Sequence, residues 1–274
     1  MAVANAITGT AAGVPFLAVP PEGERASAPV VVAWHLMDPP RTEAAFASAL
    51  PLAGLDAWRV YLGLPLHGAR FPDGGVDELI RLGFEDAVLN LYGPVSAQAV
   101  EEFGPAYSEL RERFGFRDGA IAVLGASLGS AVAQLVIADG AVEVAAAVLA
   151  SPLCRLEAVV ESVGRRFGIT YPWSAPSREI ADRMDFVARA DAVAACPATL
   201  LVVGAEDDED GFRAPADRLR EALEQRSVTT DLVVVPGMGH ALAEEPGIEP
   251  APQLPAAGKV DRLAVGWFAR HVPS

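Results

Sequence analysis

Six strand-like runs punctuate the chain, at Val30–Trp34, Ala57–Gly63, Ala120–Leu124, Ala145–Ala150, Thr199–Val203 and Asp231–Val235, with helical patterning between them. Runs this apolar suit strands buried on both faces, and the intervening helices supply the crossovers that parallel neighbours require. The chain therefore reads as α/β, with a mostly parallel sheet flanked by helices on both faces. Helices are expected at Thr42–Leu50, Ala97–Phe114, Leu128–Ala138, Ala214–Gln225 and Val260–His271. Val14–Val19 is expected to add an antiparallel edge, against which Pro15 counts by removing a backbone donor. The repeating signals make all 274 residues a single domain.

Two stretches break the rhythm. Residues 155–195, which include Tyr171-Pro172-Trp173 and Pro176, are too long for a simple crossover. They read as a small helical lid over the carboxyl ends of the strands, where open α/β sheets bind ligands. The competing reading is a peripheral helical excursion without substrate contact. Glu244–Gly258, with four prolines, reads as an extended surface loop before the last helix.

Composition removes several function classes. Pro, Gly or charge interrupts every apolar run well before the ~18 residues of a membrane span. The first 20 residues lack a basic start and a compact apolar stretch, so no secretory signal is read and a cytoplasmic location is expected. A net charge of −15 without a Lys/Arg stripe argues against nucleic acid as a partner. The two cysteines, Cys154 and Cys196, have no metal or redox spacing and read as small buried hydrophobes.

One motif carries chemistry. In Gly125-Ala126-Ser127-Leu128-Gly129 a serine stands between a strand-like run and the alanine-rich helix Leu128–Ala138. A strand-to-helix turn of this kind lifts a hydroxyl above the sheet and needs residues without bulk two positions either side. It also directs the Leu128 N–H, at the positive end of the helix, toward a developing oxyanion.

A serine hydroxyl becomes a nucleophile when a base takes its proton, and histidine has the right basicity. Of four histidines, His271 falls in the last helix, His67 in a loop after the second strand, and His35 directly after Val30–Trp34. His240, in Pro236-Gly237-Met238-Gly239-His240 after the last strand, is the best base. A carboxylate must then hold its tautomer, and Asp207 follows Thr199–Val203 in Gly204-Ala205-Glu206-Asp207. Asp208 and Asp210 of the same acidic run are alternatives. The run also resembles a calcium loop, but poorly: Glu206 opens it, Pro215 interrupts it, and Asp217 stands where a bidentate Glu is expected. No metal or cofactor is expected.

The order Ser127, Asp207, His240, each after a different strand, resembles the α/β-hydrolase fold superfamily, from roughly Val30 to His271. Gly125–Gly129 resembles its nucleophile elbow, Gly204–Asp207 its strand-acid turn, and Gly237–His240 its terminal histidine loop. Leu62–Gly68 and Gly83–Gly93 are similar to small dienelactone-hydrolase-like and peptidase-like members. The resemblance implies about eight strands and a serine hydrolase, most simply a carboxylesterase, working through an acyl-enzyme on a small-molecule acyl substrate. It implies a second oxyanion donor after the first central strand, where the family commonly has His-Gly. Here His35-Leu36-Met37 puts leucine at the glycine position, leaving the Met37 N–H as donor and Leu36 as the alternative. Acyl transfer and thioesterase, lactonase or peptidase activity use the same triad. A hydrolase-fold binding protein without turnover is the non-enzymatic reading.

Overall fold

The computed structural model describes residues 5–272; residues 1–4, part of the opening stretch read for a secretory signal, and residues 273–274 lie outside the described residues. Its strands are β1 (Ile7–Ala11), β2 (Val14–Val19), β3 (Val30–Trp34), β4 (Trp58–Leu62), β5 (Ile121–Ala126), β6 (Val144–Ala150), β7 (Ala198–Gly204) and β8 (Thr229–Val235). They form one sheet in the order β1-β2-β4-β3-β5-β6-β7-β8. Strands β3 to β8 pair in parallel, while β2 meets both β1 and β4 antiparallel. From β3 the chain moves outward to β4 and later returns on the other side as β5. The carboxyl ends of β3 and β5 therefore flank the switch point where such sheets open a crevice.

The helices are α1 (Glu43–Ala49), α2 (Gly75–Ala87), α3 (Gly93–Phe114), α4 (Leu128–Asp139), α5 (Leu156–Phe167), α6 (Ala175–Arg183), α7 (Ala190–Val193), α8 (Ala214–Glu224) and α9 (Pro255–His271). Successive strand residues point to opposite faces. Val32, Trp34, Val123, Leu149 and Leu201 pack with α3, α4, α7 and α8. Val31, Ala33, Leu124, Val148 and Val202 pack with α1 and α9. All five residues of β3, and all six of β5, are buried. No helix among the described residues is long and apolar enough to cross a membrane.

Five elements differ from the sequence reading. Val14–Val19 is antiparallel but is not the edge, because β1 lies outside it. β1 carries no apolar run, three of its five residues being exposed, and its hairpin turns through Ala12-Gly13, both at positive φ, without an Asn-Gly signal. Helix α2 has an apolar stripe, Val76, Leu79, Ile80 and Phe84, of which only Leu79 is buried while Ile80 and Phe84 are exposed. At its end Asp86 turns extended, and its Oδ1 accepts the N–H groups of Val88 and Leu89 to start the next turn. That π-helical turn, Val88–Tyr92, runs into α3, which begins at Gly93, ahead of Ala97. Helix α9 begins at Pro255 within the expected surface loop, since proline at a first helical position costs no hydrogen bond.

The interval 155–195 divides in two. Arg155 and Asp185 form an antiparallel bridge, reinforced by Leu156 N–H to Met184 O at 3.2 Å and Phe186 N–H to Cys154 O at 2.9 Å. Beyond this neck, α5 packs on the 209–213 turn and α6 on the 88–92 turn. Helix α7 lies on the body side of the neck, against α4 and α8.

Candidate active site

Ser127 sits at φ 47°, ψ −119°, between β5 and α4. A non-glycine residue there is strained by about 1–3 kcal/mol, which surrounding contacts must offset. The Ser127 N–H donates to Ala150 O at 3.0 Å, and its carbonyl accepts from the Ser130 hydroxyl at 2.6 Å. Ser130 Oγ in turn accepts the Leu153 N–H, and the Gln134 amide donates to the carbonyls of Ser130 and Leu153. This buried polar clamp beneath the turn has no motif by which sequence reasoning finds it. The two glycines are required by close approach: a Cβ on Gly125 would stand 2.4 Å from Gly129 O, and one on Gly129 would stand 2.2 Å from Trp34 O. The turn is thus pressed against the backbone leaving β3.

The three residues picked from sequence come together. Ser127 Oγ lies 2.8 Å from His240 Nε2, and His240 Nδ1 lies 2.9 Å from Asp207 Oδ2. With Nδ1–H donating to the carboxylate, Nε2 is left as the acceptor for the serine hydroxyl. The other Asp207 oxygen accepts the Asp208 N–H at 2.8 Å, and only 3% of the Asp207 side chain is exposed. Gly204 makes this meeting possible. A Cβ there would stand 2.2 Å from Met238 O and 2.6 Å from Gly239 O, so the acid turn and the histidine loop lie backbone to backbone. Glu206 N–H to Met238 O at 2.9 Å ties them further, and Ser151 Oγ–H to His240 O at 2.9 Å holds the histidine loop to the end of β6. The Phe212 ring covers the imidazole at 4.0 Å between centroids.

Burial opposes protonation of His240, but the hydrogen bond and charge of Asp207, with the charge of Asp38 added, hold its basicity above the ordinary histidine value. Asp38 was not foreseen. Its Oδ2 lies 3.8 Å from His240 Nε2, on the serine side of the ring.

The segment after β3 explains how leucine replaces glycine. Leu36 is fully buried among the α1 and α9 side chains and is not one of the residues at positive φ. The turn therefore needs no left-handed residue, and the side chain has a core position of its own. Its carbonyl accepts His35 Nδ1–H at 2.6 Å, while His35 Nε2 accepts the Leu64 N–H at 3.1 Å. His35 is thus a neutral internal brace, its basicity lowered well below normal first by burial. His67 is equally buried, donates Nδ1–H to Pro65 O at 2.8 Å, and is pushed down to about 4, again chiefly by burial.

Met37 is half-buried, and its carbonyl accepts Arg41 Nε–H at 3.1 Å. Arg41 also grips both Glu245 oxygens and Pro246 O, and Arg41 N–H reaches Gly247 O at 2.7 Å. Leu242 N–H donates to Pro39 O at 3.0 Å. The loop carrying Met37 is thereby stitched to the loop that follows His240. Leu128 is the first residue of α4, where a helix leaves its N–H without an intrahelical partner.

The remaining acids have other employment. Asp208 caps the 209–213 turn through Gly211 N–H, and the Ser162 hydroxyl of α5, followed by that N–H, holds its carboxyl below the usual range. Asp210 pairs with Arg165 of α5 and Glu209 with Arg213. His271 stacks on Trp267 at 4.3 Å, and Cys154 and Cys196 are free and buried.

No protein-family model matches the sequence, and no curated protein matches it either. Solved structures do. TT1662 from Thermus thermophilus superposes with a TM-score of 0.62 at 18% identity, over 97% of this chain and 96% of that one. A Klebsiella pneumoniae protein described as a dienelactone hydrolase gives 0.64 at 18%, over 97% and 99%. A puromycin-hydrolyzing peptidase of Mycobacterium tuberculosis gives 0.64 at 19%, this chain covering 40% of its length. The strand order, the strained turn after β5 and these superpositions converge on one architecture, and the chain has the α/β-hydrolase fold.

Proposed function

We propose that the protein is a serine hydrolase that cleaves a carboxylic ester through an acyl-enzyme. One observation carries the reading: the continuous line from Ser127 Oγ to His240 Nε2 at 2.8 Å and from His240 Nδ1 to Asp207 at 2.9 Å, on a strained strand-to-helix turn. His240 takes the serine proton as Oγ bonds to the acyl carbon. The imidazolium, stabilised by Asp207, returns the proton to the departing alkoxide, and the acyl group stays on Ser127. Water then attacks under the same base and releases acid and free serine.

The oxyanion hole in this reading is formed by the N–H groups of Leu128 and Met37. Its support is the contact between Gly129 and the Trp34 and His35 carbonyls, which brings the segment after β3 beside the elbow, and the Arg41 anchor on that segment. The 156–184 excursion acts as the lid. Its support is that α5 binds the turn after Asp207 through Ser162 and Arg165, while Tyr171 O–H donates to Asp86 at 2.6 Å on the opposite rim.

The test is covalent labelling with a neutral fluorophosphonate and turnover of 4-nitrophenyl esters. The unmodified protein labels at Ser127 and turns over; Ser127→Ala does neither while retaining its circular dichroism spectrum and melting temperature. Full turnover by a folded Ser127→Ala protein overturns the reading.

A further inference from the structure

The catalytic crevice has an unpaired negative wall. Asp38 Oδ2 lies 3.8 Å from the His240 nitrogen that faces Ser127, and half of the Asp38 side chain, 53%, is open to solvent. Among the described residues its only ion-pair partner is His240, which is neutral when acting as a base. The nearby guanidiniums are taken: Arg41 by Glu245, Arg70 by Glu102.

The other groups that feel Asp38 supply no compensating charge. His67 is neutral, with Nδ1–H donated to Pro65 and Nε2 a buried acceptor without a partner. Tyr92, in the turn on which α6 packs, stays a neutral phenol. Asp207, behind His240, adds a second negative charge. A carboxylate this close to the reacting atoms lies within a few bonds of any acyl group attached to Ser127.

We infer that Asp38 is a specificity-determining residue, and that the substrate carries a cationic group, an ammonium, a short distance from its scissile carbonyl. The inference rests on the serine-hydrolase reading of the site. An ammonium satisfies a carboxylate whose only ion-pair partner among the described residues is the catalytic histidine. A carboxylate on the substrate meets repulsion at the same place.

The experiment uses three 4-nitrophenyl esters, of 3-ammoniopropanoate, butanoate and succinate, giving cationic, neutral and anionic acyl groups, of which the cationic and neutral pair are isosteric. kcat/KM is measured for the unmodified protein, Asp38→Asn and Asp38→Lys. The ratio of cationic to neutral ester falls about tenfold in Asp38→Asn, the size expected of one charge acting across a half-exposed site. In Asp38→Lys the anionic ester becomes preferred over the cationic one. Any effect of Asp38 on the basicity of His240 acts on all three esters and cancels in the ratios.

If either variant fails to fold, the unmodified protein decides. Raising ionic strength from about 0.01 M to about 1 M, where the screening length drops from about 30 Å to about 3 Å, narrows its cationic preference. Ratios unchanged by substitution, or a salt-independent ratio, overturn the inference and leave Asp38 as a positioning residue for His240. Absence of Ser127 labelling and of turnover on all three esters overturns the hydrolase reading, and the inference with it.

Discussion

Gly204→Ala tests how the site is assembled without touching a reacting atom. Its new methyl would stand 2.2 Å from Met238 O and 2.6 Å from Gly239 O, whereas real Cβ contacts stay beyond 3.0 Å, so the histidine loop must retreat by at least about 0.8 Å. Side-chain rotation cannot absorb this, because both obstacles are backbone. The loop is also held from behind by Glu206 N–H to Met238 O and Ser151 Oγ–H to His240 O. Moving it carries His240 away from Ser127 or Asp207, stretching contacts that now measure 2.8 and 2.9 Å. A displacement near 1 Å costs on the order of 100-fold in rate. Overpacking costs about 1–3 kcal/mol, equivalent to a fall in Tm of a few to about ten degrees for a domain this size. The assay pairs kcat/KM on 4-nitrophenyl butanoate with Tm, and Gly104→Ala is the control. Gly104 lies inside α3, and a Cβ there would meet nothing within 4 Å, so alanine leaves both quantities intact or raises Tm. A Gly204→Ala protein with unmodified Tm and kcat/KM refutes the close-packing argument.

Three further outcomes follow from the same geometry. Because His240 must be neutral to accept the serine proton and its basicity is raised, kcat/KM climbs with pH through a midpoint above 6.5. Asp207→Asn, which removes the raising hydrogen bond and charge, moves that midpoint down and lowers the plateau by roughly 10³–10⁴; an unmoved midpoint contradicts the pairing. His67 binds a proton near pH 6.5 when unfolded but only near 4 when folded, so stability is full above pH 6.5 and falls as pH drops to about 4. The loss amounts to about 3 kcal/mol, and His67→Gln removes one proton's worth of slope from urea melts in that window. Tyr171→Phe loses the hydrogen bond to Asp86, worth about 1 kcal/mol, and speeds amide exchange in residues 168–174; unchanged exchange shows that the excursion is not anchored there.

The central sheet was readable because its strands are buried on both faces, which forces runs such as Val30–Trp34 to be apolar at every position. Edge elements obey no such constraint. β1 needs only to pair with β2, so Thr8, Gly9 and Thr10 suffice, and the pattern that marks a buried strand is missing. Helix α2 does carry an apolar stripe, but it lies on the surface with Ile80 and Phe84 exposed and only Leu79 buried. The glycine expected after His35 was a rule about a turn, and Leu36 satisfies the turn differently, by filling a core position at negative φ.

The site divides along the same physical line. Ser127, Asp207 and His240 were legible because each depends on backbone that only glycine permits nearby, and Gly125, Gly129 and Gly204 leave that requirement in the sequence as fixed spacings around strand ends. Asp38, Arg41 and the Ser130-Gln134 clamp leave no such trace. Their positions follow from how loops from distant parts of the chain meet: Arg41 finds Glu245 across 204 residues, and Ser130 finds Leu153 across 23. In the proposed reading, backbone geometry sets which residues do chemistry here, and the Asp38 side chain sets on what. The Asp38 substitutions should therefore change the order of preferred substrates, whereas the Gly204 substitution should slow all of them together.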